Sequence, residues 1–560
     1  MNKLYYGDNL AVLRNEIERE SVDLIYLDPP FNSQANYNVL FRGTSGERSQ
    51  AQIEAFLDTW HWNDHAEQAF DEVMGGGCAA AAEMLRALRS FLRENDMMAY
   101  LTMMAVRLLE LHRVLKPTGS IYLHCDPTAS HYLKTLMDGV FGATNYKNEI
   151  SWRRSAAHND TKQGSKRFGN VRDVILFYTK SKAWAWNPQY SGYDPSYTDE
   201  MYRFTDSSGR RYRKGDLTAA KAGGDTRYEW RVKRPAGGDW VADTDGSYLE
   251  PKPGWQYKGV LPYGKRIWAY SKENMHGYSE QGRIVYSESG MPNYKRYLDE
   301  MPGVSLQNDW DDIFPASGGE SLGYPTQKPL ALLERIVAAS SNEGDVVLDP
   351  FCGCGTAVHA AQKLKREWIG IDITHLAISL IEKRLNDAFP GIKYEVHGTP
   401  KDLEGARALA AQNKYQFQWW AVSLVNAVPF GGKKKGADSG IDGLIYFKPE
   451  GKTTEKAIVS VKGGDNVNVA MVRDLAHVVD RENARIGVFI TLAESTGPMR
   501  TEAVKAGYYE TLYGKYPKIQ ILTIEELFSG KQPKIPLVDS ASFKKAVKES
   551  EGGEQDRLPF

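Results

Sequence analysis

Cysteine is scarce in this 560-residue chain: Cys78, Cys125, Cys352 and Cys354 are the only four. That is too few for a disulfide framework and points to a reducing compartment. Long apolar runs are missing too, so no segment reaches membrane-spanning length. The opening residues MNKLYYGDNLAVL lack the apolar core of a secretory signal, which makes the cytoplasm the expected location and a membrane partner unexpected. Excess charge of either sign is absent, with a formal net charge of −1. No overall basic field therefore draws the protein to a polyanion, and any such contact must come from local patches. No internal repeat is evident. What remains is ordinary globular composition, 42% hydrophobic and 25% charged, in a chain long enough for two or three domains.

The first 150 residues alternate apolar strands with helical stretches. VDLIYL (22–27) and GSIYLHC (119–125) read as strands, with an amphipathic helix over 99–116 between them and Pro117 and Gly119 supplying the turn that ends it. This alternation implies a largely parallel sheet with helices on both faces. EISWRR (149–154) and VILFYT (174–179) are further strands, joined by a polar, basic connection. From about 181 to 320, Trp, Tyr, Gly, Arg and Asp crowd together without a helical period, as in a loop-rich insertion with short strands. The α/β pattern returns with a helix from Lys328, a strand over 345–349, a helix from Thr356 and a strand over 368–373. A charged helical connector over 401–414 leads to a second α/β pattern, and the charged tail after about 540 reads as disordered.

Two stretches carry chemistry. The strand ending at Asp349 runs into PFCGCGT, where Gly353 and Gly355 permit a tight turn and the next helix offers its amides. Asp372 ends the following strand, where an acid can hold the hydroxyls of a ribose. No Lys-Ser/Thr follows the glycines, against a phosphate-gripping loop. A cationic, phosphate-free nucleoside suits such a loop, and S-adenosylmethionine is one; Cys352 and Cys354 read as small loop fillers. The other stretch is LDPPF (27–31), an acid, two prolines and a ring where a strand leaves its sheet. An exocyclic amine is a poor nucleophile while its lone pair is delocalised into the base. Acceptors on both N–H bonds, Asp28 and the rigidly held Pro29 carbonyl, would favour a tetrahedral nitrogen and free that pair. Phe31 offers a stacking face for an extruded base. A plain structural turn is the competing reading of Asp-Pro-Pro.

LDPPF, then YPTQKP (324–329), then LDPFCGCGT (348–356) resemble, in this order, the motif set of the permuted β-class DNA amino-methyltransferases, over about residues 1–400. The resemblance implies a Rossmann-like S-adenosylmethionine-dependent fold acting on double-stranded DNA. It implies that Asp28, Pro29, Pro30 and Phe31 form the catalytic motif. Asp349, Phe351, Gly353, Gly355 and Thr356 would line the cofactor pocket, with Asp372 on the ribose. Thr326 and Lys328 match the element that holds the methionine carboxylate, and Asp8, in YGDNL, the acid beside the cofactor adenine. Asp before Pro-Pro is the form usual for adenine N6; many cytosine-N4 enzymes carry Ser there, and peptide-glutamine methyltransferases carry Asn. Cys125 follows His124 rather than proline, which speaks against carbon-5 chemistry. The 181–320 region falls where the family places target recognition. Arg210, Arg211, Arg213 and Lys214 are candidate DNA contacts, Tyr212 and Trp230 candidate stacking faces, and Arg153 and Arg154 open a second basic stretch. Dimers are common among such enzymes, so a homodimer is a further expectation.

Beyond 415 the hairpin-like pair KKKGADSGIDGLIYF and KAIVSVKGG brings Asp442 and Lys462 together, an arrangement that binds Mg²⁺ and polarises water for phosphodiester cleavage. It resembles the Mrr-like branch of the PD-(D/E)xK nucleases, with two departures: Ser460 stands where Glu or Gln is usual, and Gln418 where an acid is common. A degenerate nuclease fold that only grips DNA, with Lys433, Lys434 and Lys435 at hand, is the alternative. The expected organisation is a catalytic half (1–180), a recognition region (181–320), a cofactor half (321–400), a linker (401–414), a nuclease-like domain (415–535) and a disordered tail (536–560). The expected activity is adenine-N6 methylation by base flipping. Cytosine-N4 methylation, a bifunctional restriction-modification enzyme and a purely DNA-binding protein are the rivals.

Overall fold

The computed structural model describes residues 2–30, 62–155, 166, 168–221, 226–318, 320–322, 326–430, 440–449, 454–512 and 514–536. Phe31, the lysines at 433–435 and the tail from 537, all singled out from the sequence, lie outside the described residues.

Nine strands form the first sheet: β1 (Lys3–Tyr6), β2 (Val22–Leu27), β3 (Leu115–Cys125), β4 (Tyr146–Arg153), β5 (Arg172–Thr179), β6 (Asp309–Trp310), β7 (Val346–Asp349), β8 (Glu367–Asp372) and β9 (Glu395–His397). They lie side by side in the order β6-β4-β5-β3-β2-β7-β8-β1-β9. All neighbours run parallel except the two pairs made by β5. Alternation along β2 shows why both faces are covered. Leu24 and Tyr26 enter one apolar cluster, packed with the helices Leu330–Ser340, Thr356–Lys363 and His375–Ala388. Ile25 and Leu27 enter the other, packed with helices between Asn9 and Phe141, joined by Val22 from beyond the register shift that precedes Leu24.

Two local expectations change. The helix spans Asp96–Val114 and passes straight into β3 at Leu115. Pro117 and Gly119 do not end the helix; they lie in an irregularity inside β3, between the pairs Val22–Leu115 and Leu24–Ser120. Glycine is required at this point, because a Cβ on residue 119 would sit 2.5 Å from Leu115 Cδ1 and 2.9 Å from the Asp23 carbonyl. Strand β1, unseen in the sequence, inserts between β8 and β9 with Tyr6 opposite Asp372.

Residues 188–306 form a separate compact unit. Its short antiparallel strands and the helices Pro195–Met201 and Lys272–Glu280 surround a core of Leu217, Trp230, Val232, Trp268 and Met275. Trp230 and Tyr212, expected as stacking faces for nucleic acid, are 1% and 7% exposed: the apolar demand of a small domain claims both.

Among the described residues the main sheet of the C-terminal region has five strands, β10 (Val428–Pro429), β11 (Gly443–Phe447), β12 (Glu455–Lys462), β13 (Ile486–Thr491) and β14 (Ile519–Thr523), in that spatial order. β11 and β12 form an antiparallel hairpin, and β12, β13 and β14 are parallel. The charged segment over 401–414 contains a helix, Leu403–Gln412, whose Ala406 and Leu409 are buried in this domain's core with Phe417 and Trp420.

Candidate active site

Four adjacent parallel strands, β2, β7, β8 and β1, end in acids: Asp28, Asp349, Asp372 and, two residues past Tyr6, Asp8. Open α/β sheets bind ligands at the carboxyl ends of such strands. One cavity opens there, lined by Asp8, Tyr26, Asp28, Pro29, Pro30, Arg107, Thr326, Lys328, Asp349, Phe351, Gly353, Thr356 and Asp372, among others. Asp28 and Lys328, 300 residues apart in sequence, are thus brought together beside the glycine loop. Gly355 stands behind the lining as the cap of the helix Thr356–Lys363, with φ +76°. A side chain there would be strained and would meet Ile381 at 2.9 Å.

The acids differ in environment. Asp349 is fully buried; burial, with Asp28 and Asp372 adding like charge, pushes its carboxyl up to about 8 against the Phe351 amide that donates to it at 3.0 Å. Burial also raises Asp372, to about 6, opposed by hydrogen bonds from the Gly353 amide (2.9 Å) and from the Thr374 amide and hydroxyl (2.8 and 2.9 Å). Asp372 therefore shapes the glycine loop itself: both Thr374 donors occupy its Oδ1, and Oδ2, which takes the Gly353 amide, is the freer acceptor for a ligand. Asp28 forms an ion pair with Lys328. Asp8 caps the helix Asn9–Glu16 and pairs with Arg107 at 3.0 Å.

Several residues of the site escaped the sequence reading. Arg107 donates from its Nε to Asn9 Oδ1 at 2.7 Å, and Asn9 Nδ2 donates to the Pro350 carbonyl at 2.9 Å, so this arginine ties β1 to the loop after β7. Its signal was a lone cation in the apolar run MMAVRLLEL. Behind Asp28, the Tyr26 hydroxyl lies 2.9 Å from His124 Nδ1, and His124 Nε2 lies 3.2 Å from Asp173 Oδ2. The carboxylate takes the Nε2 proton, which leaves Nδ1 to accept from Tyr26 and fixes that hydroxyl at the cavity wall. Burial alone would raise Asp173, yet the His124 hydrogen bond and the Arg154 charge hold it below its ordinary value.

The basic residues expected at DNA divide. Arg210 is engaged by Asp299 and Glu300 at 2.8 and 2.7 Å, and Arg211 by Asp199 at 3.0 Å and the Thr198 carbonyl at 2.7 Å. Their charge is largely spent inside their own unit. Arg213 donates to the Tyr197 hydroxyl at 3.3 Å. Arg154 pairs with Asp173 at 3.3 Å, and Arg153 ends β4. In the C-terminal hairpin, Asp442 sits opposite Ser460 by the register of β11 and β12, and Val461 N donates to its carboxylate at 2.6 Å. Lys462 ends β12. Among the described residues no group of three or more His, Cys, Asp or Glu is placed to hold a metal, and no helix is long and apolar enough to cross a membrane.

The model of the N6/N4 DNA methylase family matches residues 22–383, which contain the motif strands and the glycine loop. The chain belongs to that family. It is a DNA methyltransferase that uses S-adenosylmethionine, with a C-terminal restriction-endonuclease domain: a restriction endonuclease family model matches residues 409–528. The type II methyltransferase M.EcaI of Enterobacter cloacae is 31% identical over 387 residues, 68% of this chain and 69% of the relative. The Mod subunit of the type III restriction-modification enzyme StyLTI of Salmonella typhimurium is 25% identical over 381 residues, 65% of this chain and 50% of the relative. A solved structure of TTHA0409, a putative DNA modification methylase from Thermus thermophilus complexed with S-adenosylmethionine, aligns with 71% of this chain and 98% of its own at 16% identity and a TM-score of 0.32. The donor set of this methylase's cavity fits the cofactor: buried acids beside a glycine loop for the nucleoside and its cationic groups, and a lysine for its carboxylate.

Proposed function

We propose that this methylase transfers a methyl group to the N6 amine of adenine in duplex DNA, after the base is swung out of the helix. The observation that carries the reading is the placement of Asp28 and Pro29 at the end of β2, on the wall of a cavity shared with the glycine loop and Asp372. The cofactor supplies an electrophilic methyl on a sulfonium. Asp372 and Asp8 would hold its nucleoside, and Lys328 with Thr326 its carboxylate. Asp28 and the Pro29 carbonyl would each accept one N–H of the target amine, drawing its lone pair out of conjugation toward the methyl. The identity of the acid supports adenine, since Asp rather than Ser precedes Pro-Pro. DNA is the partner this reading implies, and the pairing of Arg210 and Arg211 within their unit favours Arg213, Lys214 and Arg153 for contacts to it.

The test is nucleoside mass spectrometry of duplex DNA incubated with the protein and methyl-labelled cofactor. Labelled N6-methyladenine is expected. Labelled N4-methylcytosine would keep the fold and overturn the target. In the same assay Asp28→Ala should give no label while calorimetry still shows cofactor binding; loss of binding would mean that Asp28 belongs to the cofactor site instead.

A second activity is favoured by the restriction endonuclease match and by the placement of Asp442 and Lys462 on one hairpin, against the departure at Ser460. It would be Mg²⁺-dependent cleavage of DNA, in which Asp442 would hold the metal and Lys462 would orient the attacking water.

A further inference from the structure

Four acids, Asp8, Asp28, Asp349 and Asp372, stand along one wall of the cofactor cavity; burial keeps Asp349 protonated near neutrality, so the negative charge of the wall comes from Asp8, Asp28 and Asp372. That field suits a sulfonium and an ammonium and opposes a carboxylate. Of the cations at the cavity, Arg107 is paired with Asp8 and Lys328 with Asp28. A further cation stands directly behind the lining. Arg384, on the helix His375–Ala388, is 3% exposed, and no described carboxylate lies within ion-pair distance of it. A guanidinium stays protonated in a protein, so the interior holds a positive charge that no ion pair neutralises, with Glu320 acting on it only at longer range, an arrangement that costs stability.

Its hydrogen bonds show where that charge is directed. Nε donates to His359 Nδ1 at 3.1 Å, and burial together with the Arg384 charge keeps that imidazole neutral, its pKa pushed down to about 3. Nη1 donates to the Cys354 carbonyl at 3.2 Å and to Thr356 Oγ1 at 3.0 Å. The Thr356 hydroxyl in turn donates to the Lys328 carbonyl at 3.3 Å. Cys354, Thr356 and Lys328 all line the cavity. The arginine thus acts in two ways. Its field, weakly screened in the interior, reaches the cavity at the glycine loop. Its hydrogen-bond chain also clamps the main chain of Lys328 against that loop.

We propose that Arg384 is a positioning residue for the anionic end of the cofactor, supplying through Thr356 and Lys328 the positive potential that lets an acid-lined pocket accept the methionine carboxylate. This rests on the cavity being the S-adenosylmethionine site.

Calorimetry on the full chain tests it with two ligands: S-adenosylhomocysteine, which keeps the amino-acid carboxylate, and methylthioadenosine, which keeps the nucleoside and lacks that end. Arg384→Met should weaken S-adenosylhomocysteine about tenfold or more and leave methylthioadenosine within about twofold. Arg384→Lys, which restores the charge, should recover much of the loss. Equal losses for both ligands would reduce Arg384 to a packing role and overturn the proposal, as would unchanged affinity for both. Should Arg384→Met fail to fold, as read by its thermal melt, Arg384→Gln keeps polar contacts without charge and should show the same selective loss; a non-selective one overturns the proposal. Failure of the wild-type protein to bind either ligand would instead refute the cavity assignment itself, and the inference with it.

Discussion

At the scale of single residues, the site is a set of carboxylates whose identical chemistry is made different by surroundings. Asp349 is the extreme case, a buried acid with two like charges nearby and a carboxyl pushed up to about 8 from its ordinary 3.8. The native protein therefore holds a proton that the unfolded chain releases well below neutrality. An acid whose pKa is raised on folding stabilises at low pH, and its contribution is lost as pH climbs from about 4 toward 8, by at most about 1.4 kcal/mol per pH unit. We expect the melting temperature of the ligand-free protein to fall across pH 5–8 more steeply than that of Asp349→Asn, which cannot ionise. Parallel pH profiles of the two proteins would show Asp349 to be ionised in the fold. The residues that the sequence hid follow the same logic in reverse. Arg107 sits in a helix read from the sequence only as amphipathic, and Arg384 in the charged stretch ISLIEKRLNDA that the sequence did not single out; only the tertiary structure shows Arg107 lining the cavity and Arg384 turned inward behind it.

At the scale of elements, the acids at the strand ends were legible because each closes an apolar run and opens a turn. Asp28, Asp349 and Asp372 could be located that way, and the glycine loop with them. Strand β1 was not legible: four residues are too few for a period, and its partners β8 and β9 arrive more than 360 residues later. The turn read at Pro117–Gly119 was misplaced for a related reason. Pro and Gly punctuate a chain equally well at a turn or at an irregularity inside a strand, and only pairing with β2 tells them apart. That irregularity has a structural task. Lys116 pairs with Asp23 at 2.7 Å, and Asp23 accepts from the Val346 amide at 2.9 Å, so the bulge braces β2 against β7 far from the ligand end. Gly119→Ala would drive a methyl into Leu115 and the Asp23 carbonyl. It should destabilise the protein by about 1–3 kcal/mol in urea unfolding while the folded fraction keeps its cofactor affinity. Wild-type stability in this variant would show that the strand shifts freely and that the bulge braces nothing.

At the scale of the whole molecule, the two proposed chemistries would reside on two different sheets. In the proposed reaction methyl transfer would draw its electrophile from the cofactor and its acceptors from Asp28 and Pro29, and would ask for no metal. Cleavage would depend on one wherever Asp442 acts, and Ser460 would offer that ion a hydroxyl where Glu or Gln is usual. Fewer charged ligands weaken divalent binding, which puts the expected Mg²⁺ requirement on the order of millimolar. The activities should then separate cleanly in the intact chain. Chelation with EDTA should abolish DNA cleavage and leave labelled methyl incorporation unchanged. Asp442→Ala should do the same in the presence of Mg²⁺, and Asp28→Ala should produce the opposite pattern. Loss of methylation on chelation would mean that the two domains are coupled through the metal. Cleavage that persists in Asp442→Ala would place the metal on other residues of the C-terminal domain.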